Sequence, residues 1–169
     1  MIPIHRVRPA SLPDIHAAAE LAAELVRFHH RLDPQRFAIL AADIAAGYER
    51  YLSGRLADPN FVALVAERCT ADGTSTIVGY AYGEVVGRNW NDLLDVHGRL
   101  HDVFVDSSHR RNGFGATLVT ELVRQLEGRG APRTVLTTAH ANAAAQRLFI
   151  RLGFRPTMIE MTRDAEESD

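Results

Sequence analysis

The feature that most constrains the fold is a short apolar strand that leads through a glycine-bearing turn directly into a helix. Residues 101–105 form the strand and residues 110–115 form the turn. Apolar residues then recur at helical spacing, at Phe114, Leu118, Leu122 and Leu126. A turn of this kind presents unpaired backbone N–H groups at the positive end of a helix dipole, so it predicts a binding site for phosphate groups.

The residues of the turn exclude two common nucleotide-binding motifs. A Walker loop needs Lys-Ser or Lys-Thr after its second glycine, whereas Gly115 is followed by Ala116-Thr117. A dinucleotide-binding fingerprint needs a third glycine or alanine three residues past the second, where this chain has Leu118. The pattern that remains is Arg-x-x-Gly-x-Gly, at Arg110, Gly113 and Gly115.

A second motif lies at residues 142–154, where an Ala-rich helix begins near an Asn and ends at Gly-Phe. The two motifs, in this order, resemble the GCN5-related N-acetyltransferase (GNAT) superfamily. The turn is similar to the coenzyme A pyrophosphate loop of that family. The helix after the family's fifth strand is matched by Asn142, Ala145, Leu148, Gly153 and Phe154. The resemblance spans residues 61–161 and is strong across residues 100–154.

Apolar spacing and turn signals predict the other elements. We expect one helix that starts near Ser11 and a second that Asp33-Pro34 opens and Gly54 stops, and a hairpin at Asp72-Gly73. Strands are predicted at residues 4–8, 61–67, 76–86, 100–105, 133–138 and 154–162. The resemblance implies an α+β, three-layer GNAT fold, with a mixed, mostly antiparallel central sheet of about six to seven strands flanked by about four helices. We expect a single domain over residues 1–163 and an acidic tail over residues 164–169.

The amino-acid composition limits the kinds of partner and the cellular compartment that we expect. The chain has 46% hydrophobic and 24% charged residues, which is typical of a folded domain rather than a disordered one. Its net charge of −2 gives no reason to expect nucleic acid as a partner. No stretch approaches the ~20 apolar residues that span a bilayer, so no membrane is expected. A lone cysteine, Cys69, is compatible with a reducing cytoplasm, where we expect the protein to act, and the sequence is compatible with a homodimer.

The resemblance implies acetyl-CoA as the co-substrate and no metal. Backbone groups of Val103, Phe104 and Val105 are expected to pair with the pantetheine arm as an added strand would. An amide in that stretch would also polarise the thioester carbonyl. Asn142, at the start of the later helix, is assigned to the cofactor as well. The turn residues assigned to the cofactor are Arg110, Arg111, Asn112, Gly113, Phe114, Gly115 and Ala116.

The acceptor is expected to be an amine, which is protonated near neutrality and must lose a proton before it attacks. Two catalytic groups that are usual in the family are missing, because Phe149 replaces a Tyr credited as general acid and Thr137 replaces a Glu. The best remaining base is His101, whose place in the strand resembles that of a histidine in arylalkylamine N-acetyltransferases; an imidazole suits proton transfer at neutral pH. Asp102, expected on the opposite face of the strand, and Glu84 are competing candidates.

The acceptor site is expected at the first two helices and the loop at residues 87–97. Trp90 and Glu84 are the candidate substrate-binding residues. Trp90 with Asp92 and Asp95 would form an aromatic and acidic wall that suits a cationic amine, and the alternative is a surface loop in which Trp90 packs on the helices. Two functions stay open. One is N-acetyl transfer to a small-molecule or peptide amine by direct attack in a ternary complex. The other is a catalytically weak GNAT-fold module that binds or senses acetyl-CoA, which the missing Tyr suggests.

Overall fold

The computed structural model describes residues 4–39, 41–70 and 73–165, and these ranges contain five strands and four helices. The strands are β1 Ile4–Pro9, β2 Phe61–Cys69, β3 Ser75–Val86, β4 His97–Val105 and β5 Thr134–Val135. The helices are α1 Ile15–Leu32, α2 Ile44–Arg55, α3 Phe114–Gly128 and α4 Ala143–Arg151. The predicted α+β class is confirmed, with five strands in the described ranges in place of six to seven.

The strands form one mixed sheet in the order β1-β2-β3-β4-β5. The first three pairings are antiparallel and the last is parallel. β4 meets β5 only at Gly98 and Arg99, because β5 is two residues long. Along residues 100–105 this edge of β4 therefore faces no strand among the residues that the structure describes. Such an edge offers backbone N–H and C=O groups to an added chain.

Helices cover both faces of the sheet, which gives three layers. α3 packs on one face through a stripe that includes Leu118 and Leu122. α1 and α2 cover the other face, where the rings of Tyr80, Tyr82 and Phe104 are buried. Successive side chains of a strand point to opposite faces, so the two helical layers bury separate apolar cores. The site described below lies on the face that α1 and α2 cover.

The second helix begins at Ile44 rather than at Asp33-Pro34, so its predicted start is wrong. Residues 34–36 form a turn in which Asp33 Oδ1 accepts the Arg36 N–H at 3.0 Å. The chain then leaves helical geometry, and the Phe37 carbonyl pairs with His30 Nδ1 at 2.9 Å. An Asp-Pro pair is compatible with a turn as well as with a helix N-terminus. Here the hydrogen bonds of Asp33 and His30 stabilise the turn.

The last predicted strand is also wrong, because residues 154–165 carry no regular secondary structure. Met158, Ile159 and Met161 are 86–90% exposed. Pro156 interrupts the segment, since proline has no N–H to donate to a ladder. An ion pair between Arg36 and Glu160 connects this segment to the loop before α2.

The remaining boundaries differ in small ways. Asp72 of the predicted hairpin lies outside the described residues, while Gly73 has a φ of +86° and Thr70 N–H donates to the Thr74 carbonyl at 2.9 Å. Gly54, the predicted stop of the second helix, lies inside α2. No helix in the described ranges combines the length and the apolarity needed to cross a membrane.

Candidate active site

A β-bulge in β4 sets the direction of two candidate side chains. β3 pairs Tyr82 with Asp102 and Gly83 with Leu100, so His101 is an extra residue on β4. Gly83 is needed here, because a Cβ at this position would lie 2.5 Å from a backbone carbonyl oxygen of β4. The bulge turns the His101 ring onto Tyr82, with centroids 5.4 Å apart, on the face that also carries Asp102. The prediction that His101 and Asp102 point to opposite faces is therefore wrong.

Glu84 holds His101 in place. His101 Nε2 lies 2.8 Å from Glu84 Oε1, and the Arg55 guanidinium donates to Glu84 Oε2 at 2.7 Å. Burial acts to raise the pKa of the Glu84 carboxyl, but the hydrogen bonds from Arg55 and His101 outweigh it, and the pKa is lowered overall. Glu84 is thus ionised at neutral pH. Glu84, predicted as a competing base and as a substrate-binding residue, is thus the hydrogen-bond partner of His101.

Asp102 lies among tyrosines on the same face. Tyr80 Oη donates to Asp102 Oδ2 at 2.9 Å, and the Tyr48 hydroxyl lies near the same carboxylate. Burial raises the pKa of Asp102, and the hydrogen bonds together with the nearby rings of His101 and His29 offset part of the rise. The bulge therefore places an imidazole and a half-buried carboxylate on one face of the sheet.

The turn before α3 has an unusual backbone. Arg111 and Gly113 both have positive φ, at 66° and 84°, which bends the chain into a concave row of N–H groups. Thr117 N–H donates to the carbonyl of Gly113, one helical turn earlier, at 3.0 Å. The amides of Gly115 and Ala116 precede Thr117 in the first turn of α3, where backbone N–H groups have no acceptor within the helix. No atom lies within 4 Å of a Cβ built at Gly113, so the space in front of the turn is open.

The two arginines of the turn differ in their surroundings. Arg110 Nε donates to the Val105 carbonyl at 3.1 Å, and its guanidinium lies 5.5 and 5.2 Å from the ring centroids of Phe28 and Phe104. The Arg110 side chain thus packs against these two rings at the end of β4. The Arg111 side chain is exposed. Arg111 is therefore better placed than Arg110 to supply positive charge to a ligand in the turn.

The other predicted cofactor residues lie in β4, in the turn before α3 and at the start of α4. Val103, Phe104 and Val105 belong to the part of β4 that has no β5 partner. Asn142 caps α4, where its side-chain oxygen accepts the Ala145 N–H at 3.1 Å. Asn112 donates from its side chain to the His109 carbonyl at 3.3 Å. These contacts leave the side chains of Asn112 and Asn142 engaged with the protein, so the backbone of the turn and of β4 carries the candidate cofactor contacts.

Two other residues singled out by the sequence lie away from the bulge. Trp90 is 75% exposed, with the Arg88 guanidinium 5.5 Å from its ring centroid. Phe149 is 6% exposed, and its ring packs edge-on against Phe154 with centroids 5.8 Å apart. Trp90 therefore belongs to a surface loop. Phe149 is a core residue of the layer formed by α3.

A cavity of about 690 Å³ lies beside the bulge, on the face covered by α1 and α2. Its wall includes Tyr82, Tyr48 and Tyr51, together with His29 and Phe37. Phe37 falls within the second helix predicted from the sequence, whereas the structure places it in a loop, where its ring stacks on His29 with centroids 4.8 Å apart. Within the described ranges, no three His, Cys, Asp or Glu side chains group so as to hold a metal ion.

Comparison with known proteins agrees with this geometry. A sequence model of the acetyltransferase (GNAT) family matches residues 20–154. A GCN5-related N-acetyltransferase from Ralstonia eutropha JMP134 is 23% identical, with a TM-score of 0.69 over 96% of this chain and 99% of that chain. Glucosamine-6-phosphate N-acetyltransferase from Arabidopsis thaliana is 16% identical, with a TM-score of 0.67 over 95% and 98%. The aminoglycoside N-acetyltransferase AAC(6')-Iy in complex with CoA is 17% identical, with a TM-score of 0.72 over 98% and 97%. The chain therefore belongs to the GNAT family of acetyltransferases.

Proposed function

We propose that the protein is an N-acetyltransferase that moves the acetyl group of acetyl-CoA to a primary amine of a small molecule or peptide, by direct attack in a ternary complex. The observation that carries the proposal is that a single strand, β4, connects the candidate base to the candidate cofactor-binding turn. Its bulge holds His101 against Glu84, and its C-terminal end leads into the open row of amides at residues 111–116. A proton acceptor and a phosphate receptor are thus fixed to one rigid element.

The turn and the adjoining edge of β4 fit acetyl-CoA. A diphosphate can accept hydrogen bonds from the amides of the turn at the positive end of α3. Gly115 leaves room for this approach, since the nearest contacts of a Cβ there are Leu148 and Val105, at 3.5 and 3.9 Å. The free edge of β4 at residues 100–105 matches the amides of the pantetheine arm. Acetyl-CoA bound there supplies an activated acetyl group as its thioester.

Glu84 determines which nitrogen of His101 accepts the proton of the amine. An ionised carboxylate only accepts hydrogen bonds, so the hydrogen of neutral His101 lies on Nε2, which faces Glu84 Oε1. Nδ1 then carries a lone pair and takes a proton from the substrate ammonium, directly or through one water, so that the neutral amine can attack the thioester carbonyl. Glu84 stabilises the imidazolium that results. Asp102 remains the competing acceptor, because burial raises its pKa.

Departure of the coenzyme A thiol requires no general acid at position 149. The new C–N bond forms as the C–S bond breaks, and the electron pair of that bond leaves with sulfur. A thiol with a pKa near the cysteine value of ~8.5 departs readily as a thiolate. Phe149 is buried against Phe154 and has no proton to give. The same observation supports the second candidate, a module that binds acetyl-CoA with little turnover.

Thiol release from acetyl-CoA over a panel of primary amines tests the proposal and separates the two candidates. We expect release that depends on the amine. Binding of acetyl-CoA without release for any amine would favour the sensor instead, and no binding at all would refute both.

The cofactor site is tested with two matched variants at Gly113. Asp and Asn have nearly the same shape and both tolerate positive φ, but only Asp places a negative charge against the diphosphate. We expect Gly113→Asp to lose acetyl-CoA affinity by about tenfold or more relative to Gly113→Asn in calorimetry. Equal affinities in the two variants would place the phosphates elsewhere.

A further inference from the structure

The cavity beside the bulge is largely apolar. It lies between the C-terminal part of α1, residues 36–39 and 41–43, and α2, and its volume of about 690 Å³ is within the ~300–1,000 Å³ typical of small-molecule sites. Aliphatic and aromatic side chains form most of its wall, which includes Val26, Phe37, Ile39, Ile44, Tyr48 and Tyr82. Such a wall favours an apolar ligand, because removing apolar surface from water is favourable.

One end of the cavity leads to the bulge. Tyr48 and Tyr82 line the cavity, and the hydroxyls of both interact with the Asp102 carboxylate. The Tyr82 ring also stacks on His101. A ligand in the cavity is therefore separated from Asp102 and His101 by little more than these two rings. This end thus has a carboxylate behind its two tyrosine rings, whereas most of the wall elsewhere is aliphatic and aromatic.

The charges in the wall do not favour an anionic ligand. Among the described residues that line the cavity, the arginines are Arg36 and Arg50, and each has a carboxylate partner. Arg36 pairs with Glu160, and Arg50 lies 3.9 Å from Asp43. His29 also lines the cavity, and burial lowers its pKa, which favours the neutral ring. A phosphate or carboxylate on the ligand would thus compete with these two carboxylates for the guanidinium groups.

We infer that this cavity binds the acceptor, and that the acceptor is a primary amine with an apolar or aromatic body and no anionic group, whose ammonium points toward Asp102. The inference rests on the proposed function. In the reaction that we propose, Asp102 attracts the ammonium, and His101, its neighbour on the bulge, takes the proton. The apolar body fills the space between α1 and α2.

Equilibrium binding tests the inference separately from turnover. The protein is saturated with CoA and titrated in a calorimeter with hexylamine, with hexanol, and with glucosamine and glucosamine 6-phosphate as polar amines. We expect hexylamine to bind about tenfold or more tightly than hexanol and than either sugar. Tighter binding of a sugar, or equal binding of hexylamine and hexanol, would overturn the inference.

Two variants locate the site. Asp102→Asn should weaken hexylamine about tenfold or more and leave hexanol unchanged, since only the ammonium is attracted by the Asp102 charge. Ile44→Gln, in the wall of the cavity, should weaken both ligands and keeps the test decisive if the Asn variant does not fold. The matched control is Asp164→Asn, at an exposed position. Normal hexylamine binding in both Asp102→Asn and Ile44→Gln would place the acceptor elsewhere.

The two proposals fail in different ways. Hexylamine binding without thiol release would refute the proposed transfer and leave the cavity assignment standing. Thiol release with a polar amine that binds more tightly than hexylamine would support the transfer and overturn the cavity assignment.

Discussion

The substitution Glu84→Gln tests how the pair of Glu84 and His101 contributes to proton transfer. Glu84 accepts hydrogen bonds from two donors, His101 at 2.8 Å and Arg55 at 2.7 Å. Glutamine has one acceptor oxygen and no charge, so one donor loses its acceptor. The His101 and Glu84 side chains are only 29% and 22% exposed, so solvent screens the pair incompletely. A hydrogen bond to a charged group contributes about 1.5–3 kcal/mol, which corresponds to a loss of about 10- to 100-fold in rate.

The assay is steady-state thiol release with a saturating amine, together with acetyl-CoA affinity and thermal unfolding. We expect kcat to fall by the predicted factor while the KM for the amine changes little, because the imidazolium forms only during the reaction. The matched control is Glu49→Gln, since Glu49 pairs with His16 at 3.3 Å on the surface, where the side chains are 47% and 74% exposed. Unchanged kcat in Glu84→Gln, or an equal loss in Glu49→Gln, would refute the role of the pair.

Three further predictions concern the framework. Gly83→Ala should displace the bulge and lower kcat/KM about tenfold or more, whereas Gly128→Ala, at the end of α3, where an added Cβ would meet nothing within 4 Å, should behave as wild type in the same assay. Phe149→Tyr should raise turnover little and lower the free energy of unfolding by about 1–3 kcal/mol, because it buries a hydroxyl; a hundredfold gain in kcat would show that thiol protonation limits the rate. Arg8 holds the pKa of Asp14 well below its usual range, so this stabilisation is present above the unfolded pKa of ~3.9 and is lost at lower pH. Asp14→Asn should therefore cost about 3 kcal/mol at neutral pH in chemical denaturation, and a cost that does not shrink below about pH 4 would contradict the ion pair.

Much of the fold could be predicted from local patterns. Apolar alternation located β1 to β4, and the helical stripe from Phe114 to Leu126 located α3. The turn could be read from its glycines, because Gly113 occupies a backbone conformation that favours glycine. These features depend on residues close together in the chain.

Features that depend on distant contacts could not be predicted in the same way. Strict alternation along β4 placed Asp102 opposite His101, whereas a bulge opposite Gly83 reverses that assignment. A glycine inside a strand is a signal for a bulge, so Gly83 was the available clue. The start of α2 depended on the pairing of His30 with Phe37, for which the sequence gives no sign. The partnership of Glu84 with His101 likewise follows from the register of β3 and β4.

Mass spectrometry of the amine after incubation with acetyl-CoA and the protein tests the central claim most directly. We expect the amine to gain one acetyl group, and the rate of gain to fall by about 10- to 1,000-fold in His101→Gln. Consumption of acetyl-CoA without an acetylated amine, or an unchanged rate in His101→Gln, would contradict amine acetylation with His101 as the base.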